Sequence, residues 1–101
     1  MVKSELIERL AQRFPSLMKA EVEHSVNCMV EQMRKTLEHA DRIEIRDFGT
    51  FSIRKREAIV GRNPMTGESV SIPARAFPHF KPGKQLRNRI IASQKTCNIQ
   101  K

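Results

Sequence analysis

The sequence predicts an α+β fold: a helical base, then a small antiparallel sheet that extends into a long β-ribbon arm. Three observations lead there. Apolar residues recur at helical spacing between Ser4 and Ala40, a two-residue alternation begins at Arg42, and turn residues from Asn63 to Gly67 separate two stretches too polar to be buried strands.

From Ser4 to Phe14, Leu6, Ile7, Leu10, Ala11 and Phe14 mark one helix face while Glu5, Glu8, Arg9 and Gln12 fill the other. Pro15 breaks that helix. From Lys19, Val22, Val26, Met29, Val30, Met33 and Leu37 form the stripe of a longer helix ending near Ala40. The stretch "RIEIR", Arg42 to Arg46, reads as a strand with Ile43 and Ile45 on a core face and Arg42, Glu44 and Arg46 on a charged one. After "DFG", Phe51 and Ile53 continue the apolar face, with Ser52, Arg54 and Arg56 opposite. Past Ile53 the alternation degrades into a basic run, so the strand is expected to leave the core as an exposed arm. "NPMTG" supplies a turn: Asn63 suits its first position, Pro64 presets the second, and Gly67 relieves the exit. "SVSIPARAF" returns as the second arm strand, where Pro73 fits an edge or an exposed ribbon. "PHFKPG" leads back to the body, and "KQLRNRIIAS" forms a last helix with Leu86 and Ile90 facing inward. The expected layout is one domain over residues 1–94, with the helical base at 1–41, sheet and arm at 42–80, the C-terminal helix at 81–94, and a flexible tail at 95–101.

A chain of 101 residues buries only a modest core, so partner chains are expected. Its net charge of +8 favours a polyanion, nucleic acid first and an anionic membrane second. The charge is unevenly placed: residues 1–41 hold 6 Lys and Arg against 7 Asp and Glu, residues 42–101 hold 13 against 4. The polyanion therefore belongs to the second part. With no signal-like apolar run and no window resembling a membrane span, the expected location is cytoplasmic.

Catalysis finds no footing. Cys28 and Cys97 are too few for a disulfide framework and read as reduced thiols. His24 and Cys28, four apart, form a possible metal pair, but no second pair completes it, so neither metal nor cofactor is expected. "DFG" stands without the other parts of a kinase, and His39 and His79 have no nucleophile pattern. A nucleic-acid-processing enzyme would need clustered carboxylates, and the acidic residues are scattered.

A β-ribbon can enter a DNA groove, and the arm from Ser52 to Gly61, about ten residues, spans roughly 33 Å at strand rise. At its tip Arg62 can enter the minor groove beside Asn63, and Pro64 can slide a donorless ring between base pairs. Alone, an Asn-Pro dipeptide shapes a turn; between two basic strands it reads as a wedge. The face of Arg42, Glu44 and Arg46 is a second candidate, its arginines suited to A·T acceptors and its carboxylate to fixing their rotamers, although alone it equals a solvated strand face. Lys81, Lys84 and Arg87 surround the start of the last helix, and Lys3 and Ser4 that of the first, where helix N-termini favour phosphate. Those contacts position a duplex rather than read it.

Four stretches, "KSELIERLAQRF", "RIEIRDFGTFS", "GRNPMTG" and "PHFKPGKQLRNR", together resemble the bacterial HU and integration host factor family over residues 2–93 in one register. "RIEIR" and "HFKPGKQLR" look more like its integration host factor side, and within that the β-type chain. The resemblance implies an intertwined dimer whose helices form a base and whose arms wrap the minor groove of double-stranded DNA, each arm-tip proline intercalating to force a bend. It implies an architectural, nucleoid-associated protein that serves recombination, replication and transcription and carries no chemistry of its own. By the same match, Arg62, Asn63 and Pro64 correspond to the arm tip, and Glu44 with Arg46 to the pair implicated in sequence preference. The implied partner is a related alpha subunit in a heterodimer or, on the HU side, a second copy in a homodimer with little sequence specificity. Three positions depart from the pattern. Asp47 stands where glycine is common, setting a carboxylate beside the DNA-facing strand and asking a non-glycine to adopt an unusual backbone. Val2 removes a polar cap from the first helix, leaving Ser4 as a weaker substitute. The chain also continues past the usual end after Ser93.

Overall fold

The structure is a computed structural model that describes residues 1–97; residues 98–101, the end of the expected flexible tail, lie outside the described residues. The element order is α1 (Lys3–Arg13), α2 (Lys19–Glu38), β1 (Ile43–Ile45), β2 (Gly49–Arg56), β3 (Ile59–Arg62), β4 (Ser69–Ile72), β5 (Arg75–Pro82) and α3 (Lys84–Ser93). Residues 95–97 continue past α3 as hydrogen-bonded turns.

Val2 occupies the cap position of α1 and contributes no side-chain hydrogen bond; Ser4 lies inside the helix and does not replace it. Relative to a Ser or Thr cap this costs about 1 kcal/mol. At the start of α2 the Glu21 carboxylate accepts from the Met18 backbone N–H at 3.4 Å. Lys19 bridges back to Glu8, and that hydrogen bond, with the charge of the ammonium, holds the Glu8 carboxyl below its ordinary value and raises Lys19. Both groups are exposed, so the tie contributes little to stability. α2 ends in a Schellman motif: the Asp41 N–H donates to Thr36 and the Ala40 N–H to Leu37, with Ala40 at φ 57°. The inward stripes of α1 and α2 meet at Ile7, Val22 and Val26, and Leu6, Leu10 and Ala11 pack around them.

β1, β2 and β5 form an antiparallel sheet in that order, and β3 and β4 form a separate two-stranded ribbon. β1 is shorter than the expected Arg42–Arg46 because Arg46 to Phe48 form a tight turn, closed by the Phe48 N–H on the Ile45 carbonyl at 3.0 Å. Asp47 sits in that turn at φ 69°, the left-handed conformation anticipated for it. β5 extends beyond residue 80 to Pro82, opposite Gly49, so Lys81 is a strand residue and the last helix begins at Lys84.

The expected continuous arm is interrupted. Residues 57–58 and 73–74 belong to no strand, yet the register of β2 with β5, in which Arg56 faces Arg75, continues without offset into that of β3 with β4, in which Ile59 faces Ile72. No residue is inserted on either side. The break has a simple cause. Along a strand, backbone groups point alternately toward and away from the neighbour. Pro78 and Pro82, an even step apart, occupy outward positions at the sheet edge where no donor is needed. Pro73, an odd step from Pro78, falls where an N–H should point at the opposite strand, and the ladder opens there.

The interior is small for the chain. Among the described residues only Ile7, Val22 and Val26 are buried apolar side chains, while Phe14, Met29, Val30, Ile45, Phe48 and Ile91 are among many exposed ones. Ile90, expected to face inward, is 47% exposed, because α3 has little of its own chain to pack against. A compact chain of 11.7 kDa would expose about 5,900 Å²; this one exposes 9219 Å². Its radius of gyration of 19.5 Å likewise exceeds the roughly 13 Å of a compact domain of this length.

Candidate nucleic-acid interface

The unbroken register decides which side chains share a face of the ribbon. Ser52, Arg54, Arg56 and Arg62 have the same parity, and opposite them stand His79, Phe77, Arg75 and Ser69. One face thus carries Arg54, Arg56, Arg75 and Arg62 in sequence toward the tip. The other carries Phe51, Ile53, Ile59, Val70 and Ile72, with Lys55 the one cation among them in β2. Arg56 and Arg75 are direct cross-strand partners, a like-charged pair that weakens a ribbon standing alone in water. The Arg56 guanidinium lies over the Phe77 ring, 4.8 Å from its centroid, and so leaves its arginine neighbour. Arg75 is not among the residues that the sequence singles out, since its significance appears only once it is set opposite Arg56.

At the tip the Asn63 carbonyl accepts from Gly67 N–H at 2.8 Å, and its side-chain oxygen accepts from Met65 N–H at 2.9 Å. Gly67, at φ 73°, turns the chain into β4. Asn63 is thereby committed to holding the turn, while Arg62, Pro64 and Met65 are exposed, Met65 at 92%. The turn presents the proline ring and the methionine side chain together at the outermost point of the ribbon.

In the body, Arg42 and Glu44 form an ion pair on the exposed side of β1, as expected of a carboxylate between arginines. Arg46 lies beyond the strand, in the turn with Asp47. Two groups expected separately prove to be neighbours: the Gly83 N–H donates to the Phe48 carbonyl at 2.9 Å, docking the start of α3 on the β1–β2 turn. The segment from Lys81 to Lys84 therefore runs past the turn that holds Arg46 and Asp47, and Arg87 follows one helical turn further along α3. Gly49 permits this packing, because a Cβ there would lie 2.6 Å from both the Lys81 carbonyl oxygen and the Phe80 ring. The Phe80 ring stacks on Phe51 and Phe48, with centroids 4.6 and 5.5 Å away. Lys3 and Ser4 belong to the helical base, away from the ribbon, with Lys3 on a cleft against α2.

Among the described residues no three His, Cys, Asp or Glu side chains are grouped to hold a metal, and no helix is long and apolar enough to cross a membrane.

A basic two-stranded ribbon projecting from a small helical base is the architecture of a DNA-binding module. The chain belongs to the family described as bacterial DNA-binding protein, whose model matches residues 1–91. It is 53% identical over 90 residues to integration host factor subunit beta of Dichelobacter nodosus, covering 89% of this chain and 94% of that one. To the protein of the same name from Shewanella sp. (strain W3-18-1) it is 55% identical over 92 residues, covering 91% and 97%. Among solved structures it is similar to Anabaena HU in a cocrystal with DNA, with a TM-score of 0.77 and 32% identity over 89% of this chain and 97% of that one. A Thermotoga maritima HU mutant follows with a TM-score of 0.65 and 29% identity, over 89% and 99%. The family resemblance read from four short stretches holds over essentially the same span.

Proposed function

We propose that this chain is one subunit of an architectural, nucleoid-associated DNA-binding dimer that lays its ribbon arms in the minor groove and bends the duplex by inserting Pro64 between base pairs. The observation that carries this reading is the single ribbon face on which Arg54, Arg56, Arg75 and Arg62 lead to an exposed proline. The arginines neutralise phosphates along the groove, and Arg62 brings the tip to the base edges. Asn63 keeps the turn rigid, so the wedge enters without first being ordered. Unstacking a base step costs a few kcal/mol, and the bend repays it by bringing the flanking DNA onto Lys81, Lys84, Arg87, Lys3 and the N–H groups near Ser4. Arg42, Glu44 and Arg46 supply a modest sequence preference, with the carboxylate fixing the neighbouring guanidinium. The processes served are those that need a changed duplex path: recombination, replication, transcription and nucleoid organisation.

A second reading, a homodimer binding with little sequence preference rather than a heterodimer with a related alpha subunit, draws on Asp47. The β1 face and its turn hold Arg42 and Arg46 against Glu44 and Asp47, and the extra carboxylate works against close approach to DNA there.

Energy transfer between the ends of a short duplex tests both. Wild-type protein is expected to bend a duplex with an asymmetric A/T-rich site and retain that bend at higher salt, whereas equal bending of a scrambled duplex that collapses with salt would establish the second reading. Pro64→Ala is expected to reduce the bend more than the affinity; an unchanged bend would exclude the wedge.

A further inference from the structure

At 92% exposure Met65 is the most solvated large apolar side chain among the described residues. Its backbone is nevertheless held in place. The Asn63 side-chain oxygen accepts from the Met65 N–H at 2.9 Å, the Asn63 carbonyl accepts from Gly67 N–H, and the Asn63 N–H donates to the Glu68 carbonyl at 2.9 Å. The turn therefore fixes the Met65 Cα one residue beyond Pro64 and leaves the side chain to solvent. A single exposed apolar side chain is ordinary on a protein surface. This one shares the outermost turn with the proline, at the end of the arginine track. Its chemistry also suits an opened base step. Methionine is one of the apolar side chains that wedge between bases, and its unbranched, polarizable thioether fills irregular gaps and makes favourable contacts with aromatic rings.

We propose that Met65 is a second element of the wedge, seating its thioether against the base step that Pro64 opens, so that the oxidation state of its sulfur sets how strongly the tip bends DNA. This rests on the minor-groove wedge proposed above. Hydrogen peroxide is a sufficient oxidant: the sulfur lone pair attacks one peroxide oxygen, the O–O bond breaks as the S–O bond forms, and the other oxygen leaves as water. Sulfur has then lost an electron pair and peroxide has been reduced. The product sulfoxide is polar, and methionine sulfoxide reductases reverse it. In the minor groove of A·T pairs its oxygen faces only acceptors, adenine N3 and thymine O2. A favourable apolar contact thereby becomes a repulsive one.

Energy transfer across the short A/T-rich duplex tests this with wild type, Met65→Leu and Met65→Gln, each before and after brief exposure to hydrogen peroxide. Met65→Gln, similar in length but polar, is expected to bind about tenfold more weakly for each arm that carries it and to bend less. Thermal unfolding of the free chain should not change, because the side chain is almost fully solvated there. Met65→Leu is expected to keep the bend and, unlike wild type, to keep it after peroxide, although Met1, Met18, Met29, Met33 and both cysteines remain as targets. A Met65→Gln chain that binds and bends as wild type does would overturn the proposal, as would a Met65→Leu chain that loses its bend to peroxide. Pro64→Ala separates the two levels. If it leaves the bend intact, the wedge itself fails and Met65 with it; if it reduces the bend while Met65→Gln does not, only the role of Met65 is lost.

Discussion

Arg75 shows what a single side chain can do on a ribbon. Opposite Arg56 it opposes pairing in free protein, and a phosphate between the two guanidinium groups turns that repulsion into a clamp. Arg75→Gln is therefore expected to make the free chain slightly more stable, by a few tenths of a kcal/mol, and to weaken DNA binding. In a plot of log affinity against log salt, the slope should flatten by about 0.9 for each arm carrying the change. An unaltered slope would remove Arg75 from the interface. At this scale the sequence is informative where function rests on local chemistry: Arg62, Asn63, Pro64 and Gly67 announce the tip within a few positions, and Asp47 takes the left-handed conformation expected of it. Arg75 is invisible there, because it acquires meaning only from a partner 19 positions away, fixed by strand register.

Among the elements, helix ends and ladder breaks carry the strain. Ala40 takes the left-handed position that closes α2, where its Cβ is unfavourable, so Ala40→Gly should raise stability by about 1 kcal/mol in denaturant melts. A neutral or negative change would mean that the Schellman geometry is not what ends the helix. Pro73 opens the arm at one specific rung, and Pro73→Val restores the missing donor. In that variant amide exchange at Ala58 should slow, the restored amide at position 73 should itself be protected, and the arm should bend DNA less readily if the opening acts as its joint. Unchanged exchange would show that something other than the proline keeps the ladder apart. Element type is legible throughout, since periods of 3.6 and 2 are clean in α1, α2 and β2. Element ends are less so: the extent of β5 depends on pairing with β2, and the break at Pro73 depends on its parity relative to Pro78, neither of which is a local property.

For the whole molecule, the exposed surface is the decisive quantity. With 9219 Å² exposed against the roughly 5,900 Å² of a compact chain, part of the excess belongs to the projecting ribbon, and the helical base also leaves large apolar side chains such as Phe14, Met29 and Val30 exposed, as a subunit of a dimer would. Folding and association are expected to be one event. The midpoint of thermal unfolding should rise with chain concentration, and sedimentation should give twice the mass of the chain. A monomeric mass with a concentration-independent midpoint would contradict this. The small core expected from length is found, whereas the inward orientation assigned to Ile90 assumes that a helix buries its stripe against its own chain.

The shared register on both sides of the break also governs how such arms can vary in length. Adding one residue to each strand would preserve pairing but move Arg62 to the apolar face, leaving the basic track to end on the wrong side of the tip. Only steps of two residues per strand, about 6.7 Å each, keep tip and track in phase. Reach along the duplex is thus quantised, and a longer arm must come in whole pleats.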